Sequence, residues 1–198
     1  MPVEVVSYML ASQDVLERLK FQIVLQCAPF LKGLKKASIT NVHKKYIRSL
    51  AVVLHGTGVD YKILAYKKDK YLVMFYRRDE FEEYLSQKEV WHFLKNYGYE
   101  KCELDEILKT LSKRVCRYSK EEITFPHEIG IFLDYPLEDV EGFIKNEGKN
   151  SLLCGYWKVY HNPSKAQMTF LAYDKAKDSA VNEFLTGKSI KEIASQAA

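Results

Sequence analysis

Residues 60–76, DYKILAYKKDKYLVMFY, set the class of the fold. Two runs rich in apolar and aromatic side chains, Asp60–Tyr66 and Lys70–Tyr76, flank the polar stretch Lys67-Lys68-Asp69. Such runs on either side of a short charged turn form the pattern of a β-hairpin. The second run is almost unbroken in apolar character, as expected for a strand covered on both faces. Nothing else in the chain is as clearly β.

Most of what surrounds the hairpin reads as helix. Upstream, Val15, Leu19, Ile23 and Cys27 fall four apart on one face of a helix expected over Gln13–Gln26, with Asp14 placed to cap it. Pro29 is expected to stop that helix or begin another. A second helix is expected over Val42–Leu54, ended by the glycines of His55-Gly56-Thr57-Gly58. Downstream, helices are expected at Asp79–Ser86, Lys88–Asn96 and Glu103–Tyr118. Two short ones, Pro126–Leu133 and Leu137–Asn146, flank Asp134-Tyr135-Pro136. Tyr156–Tyr160 suits a third strand, and a long helix from Ser164 to Leu185 ends at Gly187, with Ser189 capping a last turn. The expected class is α+β: a helix-rich single domain, 1–198, around a small β-sheet containing a hairpin.

Composition narrows the function classes. The chain has 198 residues, of which 47% are hydrophobic and 28% charged, a globular balance. Thirty basic residues against 26 acidic ones leave a net charge of +4, too small an excess to imply nucleic acid. The longest apolar runs, Leu50–Leu54 and Tyr71–Tyr76, are far short of the ~20 residues that cross a bilayer. The amino terminus lacks a basic segment and Glu4 interrupts its apolar stretch, so no signal peptide is expected. Cys27, Cys102, Cys116 and Cys154 form no disulfide framework, and reduced thiols in a cytoplasmic protein are expected.

Few residues carry candidate chemistry. Cys27, just before Pro29, becomes a reactive thiolate if backbone amides of a new helix point at it. If the first helix continues through it, Cys27 is a buried small hydrophobe, and this reading is favoured. His127 and Glu128 could serve as base and support, but adjacent helical residues point roughly 100° apart and do not orient each other. In Tyr156–Tyr160, alternation puts Trp157 and Val159 toward the core, leaving Lys158 and Tyr160 to line a pocket, with Lys158 as an anion contact.

Other patterns count against specific partners. EIGIFLDYPLEDVEGFI has the rhythm of a helix-turn-helix, yet Glu138, Asp139 and Glu141 would repel a phosphate backbone. The hairpin lysines beside tyrosines read as solvated charges protecting a sheet edge. No paired Cys or His spacing suggests a metal, and no cofactor is assigned.

Two segments, QCAPFLKGLKKASITNV (26–42) and FPHEIGIFLDYPLEDVEGFIKNEGKNSLLCGYWKVY (125–160), resemble a bacterial family of unknown function, DUF3793. Its signature blocks correspond here to Cys27-Ala28-Pro29, Phe125–Val140 and Gly155–Tyr160. Asp134 departs from the glycine of that pattern, and Lys36-Ala37-Ser38 from its Lys-Thr-Gly or Lys-Thr-Ala. The resemblance implies no activity, but places Cys27, His127, Glu128, Tyr135, Trp157 and Lys158 in signature blocks. Two functions follow as expectations. One is a small-molecule enzyme for acyl or amide transfer or hydrolysis, with Cys27 as nucleophile, His127 as base and Glu128 as support, and Lys158, Tyr135 and Trp157 binding the ligand. The other is a non-catalytic regulatory module for a small-molecule ligand or a protein partner. Neither involves a membrane or nucleic acid, and no oligomeric state is implied.

Overall fold

The computed structural model describes residues 7–9 and 11–194. Helix α1 (Val15–Leu31) begins where the Asp14 carboxylate accepts the backbone N–H groups of Leu16 at 2.8 Å and Glu17 at 3.1 Å. It outruns its expected end at Gln26 and carries Pro29 inside its last turn. A proline there removes one helical hydrogen bond, at a cost of about 3 kcal/mol in a helix interior. Burial of Cys27, Ala28, Phe30 and Leu31 in the same turn offsets that loss. Gly33, at φ 73°, then turns the chain out of the helix.

Strand β1 (Ala37–His43) follows, so the helix expected from Val42 is corrected to a strand, a 3-10 turn over Lys44–Ser49 and the four-residue helix α2 (Leu50–Val53). The physical reason is non-local. β1 pairs along its whole length with β3 (Lys70–Tyr76), from Ala37↔Tyr76 to His43↔Lys70. The hairpin is as expected: β2 (Asp60–Lys67) and β3 are antiparallel, and Lys68 and Asp69 (φ 47° and 63°) make a two-residue turn of the kind that matches strand twist. The sheet order is β1-β3-β2.

Both faces of this sheet are covered. Val42, Val73 and Phe75 join a core with α1 and with α8 (Pro163–Leu185) and α9 (Ile190–Ala194). Leu64, Met74 and Tyr76 join another with α3 (Arg78–Ser86), α4 (Lys88–Lys95) and α5 (Leu104–Ser119). The alternation of β3 thus feeds two cores at once, which is why it reads as one apolar run. The class is α+β.

The 126–133 helix is shorter than expected. A turn leads into α6 (Ile129–Phe132), and α7 (Leu137–Lys145) follows. The third strand is also reduced, to β5 (Lys158–Val159), which pairs with β4 (Leu153–Cys154) apart from the main sheet. Asn162 caps α8 and Gly187 (φ 96°) closes it. Before α9 the Ser189 N–H donates to Glu192 Oε2 at 2.8 Å while Ser189 Oγ accepts from the Glu192 N–H at 3.3 Å, a capping box.

Candidate functional site

The corner between α6 and α7 is built for close approach. Asp134 turns it at φ 58°, and the Tyr135 N–H donates to the Gly130 carbonyl at 3.0 Å. A Cβ on Gly130 would stand 2.8 Å from Val140 Cγ2, so only glycine lets the two helices pack this way. Aspartate tolerates the left-handed region better than most residues, and here it gains a contact: its carboxylate accepts the Lys36 N–H at 3.0 Å. Burial pushes the Asp134 carboxyl up, against the pull of the Lys36 amide and the Lys35 and Lys36 charges.

Asp139, in the first turn of α7, is 2% exposed. Its Oδ2 accepts the Trp157 indole N–H at 2.6 Å, and its Oδ1 accepts the backbone N–H groups of Tyr160 at 2.7 Å and His161 at 2.8 Å. One carboxylate therefore ties β5 to α7 and fixes the Trp157 ring. Tyr135 stacks on that ring with centroids 5.2 Å apart, and Phe170 meets it edge-on at 4.5 Å.

The Tyr135 and Trp157 rings border a cavity of about 220 Å³, lined largely by apolar atoms. Gly130, Val140 and Phe143 line it from the helical corner, Lys158 from β5 and Trp157 from just before that strand. His127 contributes its ring, which lies between Phe125 (5.3 Å) and Phe143 (5.0 Å). His127 and Phe125 are exposed, so the cavity wall reaches solvent. Lys158 Nζ donates to the Gly148 carbonyl at 2.6 Å and stands 6.0 Å from the Phe143 centroid. As alternation implied, Trp157 and Val159 are buried and Lys158 is exposed.

Four sequence candidates thus line one cavity: His127, Tyr135, Trp157 and Lys158. Cys27 and Glu128 do not. Cys27 is wholly buried in the α1 core, as a residue on the apolar face of a continuous helix must be. Burial pushes its thiol up to about 11, although a hydrogen bond with Ser38 and the Lys35 charge pull the other way. Glu128, also fully buried, pairs with Arg114 Nε and accepts the Tyr99 hydroxyl at 3.3 Å. Its neighbour His127, in the same turn before α6, is exposed. Asp139 escaped the sequence reading because a first-turn acid is ordinarily solvated, and nothing local separates it from exposed Glu138.

A family model described as Protein of unknown function (DUF3793) matches residues 23–194. The chain belongs to the DUF3793 family. The three DUF3793 signature blocks recognised in the sequence lie within that span. No curated protein matches the chain. No solved structure matches it either. Among the described residues of this DUF3793 chain, no group of three or more His, Cys, Asp or Glu side chains could hold a metal ion, and no helix is long and apolar enough to cross a membrane.

Proposed function

We propose that this DUF3793 chain, as one domain, is a non-catalytic ligand-binding module whose cavity accepts a single ring-sized apolar group. The observation carrying this reading is the Asp139–Trp157–Tyr135 assembly: a buried carboxylate holds an indole, the indole stacks a phenol, and both rings line one apolar cavity. Preformed apolar cavities with a few oriented polar groups are the usual form of a small-molecule site. At about 220 Å³ the space is smaller than most such sites, which limits the occupant to one ring system. The His127 imidazole and the Lys158 ammonium supply polar contacts beside it. The cysteine-enzyme reading has less support, because a wholly buried thiol raised to about 11 is a poor nucleophile near neutral pH. A cytoplasmic location accords with four free cysteines.

The test is ligand-observed NMR with indole and with benzoate. The expected result is saturable binding of at least one probe, lost in Val140→Phe, which fills the cavity, and in His127→Trp, which alters only its exposed wall. Binding by neither probe, or binding indifferent to both substitutions, overturns the reading.

A further inference from the structure

A second, larger groove of about 740 Å³ lies against β1, an outer strand of the sheet, and is walled by α1 and α8. Its charge is one-sided. Lys35, Lys70 and Lys177 line it together with His43, and no aspartate or glutamate does. Other lysines have partners: Lys32 with Glu183 at 2.6 Å, and Lys44 with Asp69 at 2.7 Å. Among the described residues none of the three groove lysines is in an ion pair.

Three carboxylates near these lysines in the fold or chain are already engaged, and Asp178, which follows Lys177 and acts on Tyr156, lies outside the lining. Asp69 holds Lys44, Asp134 accepts the Lys36 N–H at 3.0 Å, and Asp174 accepts the Tyr156 hydroxyl at 2.7 Å. Lys35 is half-buried, with its ammonium 5.2 Å from the Tyr135 centroid and 5.8 Å from that of Tyr173. Burial depresses it below the ordinary lysine value against the opposing charges of Asp134 and Cys27. A cation held against such a low-dielectric wall attracts an incoming anion more strongly than a solvated one does. Neutral donors add to this. The Gln26 side-chain oxygen accepts from Thr40 Oγ1 and from Gln22 Nε2, which leaves the Gln26 amide nitrogen as a donor in the lining.

We propose that this groove binds a small, multiply charged oxyanion, a phosphorylated or polycarboxylate metabolite, through Lys35, Lys70 and Lys177. The site is separate from the ring cavity and its occupancy does not depend on that reading.

The experiment is isothermal titration of the full chain with pyrophosphate and with citrate at low ionic strength, where screening is weakest. One saturable site is expected. Its Kd should rise by about tenfold per lysine removed, given the strength of charge-assisted hydrogen bonds, in Lys70→Gln and Lys177→Gln. Both positions lie outside the two cores, and an unchanged thermal midpoint verifies that each variant folds. Binding of pyrophosphate alone assigns a phosphorylated ligand, and binding of citrate alone a polycarboxylate. Binding of both assigns recognition by charge. Absence of heat with either probe, or a Kd unchanged in the double variant, overturns the proposal.

Discussion

The Trp157 indole N–H donates to Asp139 Oδ2 over 2.6 Å, eighteen residues back along the chain. The other oxygen of that carboxylate accepts two successive backbone amides, Tyr160 and His161. A charged acceptor with three donors in a buried setting is among the strongest polar arrangements a fold can make. Asp139→Ala removes the acceptor and leaves the buried indole N–H and two part-buried amides without it, so urea unfolding should show a loss of about 3 kcal/mol. Asp139→Asn keeps one acceptor oxygen and should lose about half as much. In both, Trp157 fluorescence should shift toward that of a less ordered indole, and a wild-type spectrum in Asp139→Ala would contradict the assignment.

Gly130→Ala puts a methyl group 2.8 Å from Val140 Cγ2. Relief of that overlap must push α7 away or tilt Val140 into the cavity. Overpacking of this kind costs about 1–3 kcal/mol, which thermal unfolding would register. The same variant should weaken any ring-sized ligand of the cavity, and unaltered stability would show that the corner yields more easily than its packing implies.

Glu128 depends on Arg114. Arg114→Met leaves a fully buried carboxylate with only the Tyr99 hydroxyl, and should destabilise the chain by about 3 kcal/mol. Adding Glu128→Gln removes the stranded charge and should recover part of the loss. A double variant no more stable than Arg114→Met would mean that the arginine acts through packing of its stem instead.

The thiols should divide by exposure. Cys102, Cys116 and Cys154 are exposed and Cys27 is buried. Iodoacetamide at pH 7.5 should alkylate the first three in the folded protein, with Cys27 reacting only after unfolding. Rapid native alkylation of Cys27 would restore it as a candidate nucleophile.

Glu183 makes stability depend on acid. Burial acts to raise its carboxyl, but hydrogen bonds from Lys32, Ser179 and Lys188 overcome that and bring it down to about 2. The depressed value means that these contacts contribute fully above the ordinary glutamate pKa of about 4.3 and are lost as pH falls toward 2. The gap in thermal midpoint between wild type and Glu183→Gln should therefore be widest near pH 6 and close progressively between about pH 4 and 2. A gap constant over that range would show that the glutamine sustains the same contacts.

Much of the fold was legible because its signals are local. Asp14, Gly187 and Ser189 mark helix ends by backbone chemistry that acts within one turn. The hairpin announces itself through two adjacent runs and the short charged link Lys67-Lys68-Asp69 between them. β1 was not legible, because SITNV has no pairing partner nearby: its ladder is with β3, some thirty residues away. The last turn of α1 was misjudged for a related reason. Pro29 opposes a helix locally, and only burial of its neighbours on α8 and the sheet keeps that turn helical.

The candidate site divides along the same line. Residue type and alternation along the chain were enough to pick out His127, Trp157 and Lys158, to turn Trp157 inward and Lys158 outward, and to set His127 and Glu128 on different sides, while Tyr135 entered only through the family resemblance. Side-chain periodicity is a property of a single element and survives without tertiary context. Folding settled the rest: that those four share a cavity, that Cys27 lies outside it, that Asp139 is a buried acceptor while Glu138 is solvated, and that three lysines from α8, β3 and the segment before β1 face one groove. Burial and convergence depend on what other elements bring to the same place, and a carboxylate or an ammonium carries no local mark of the neighbours it will meet.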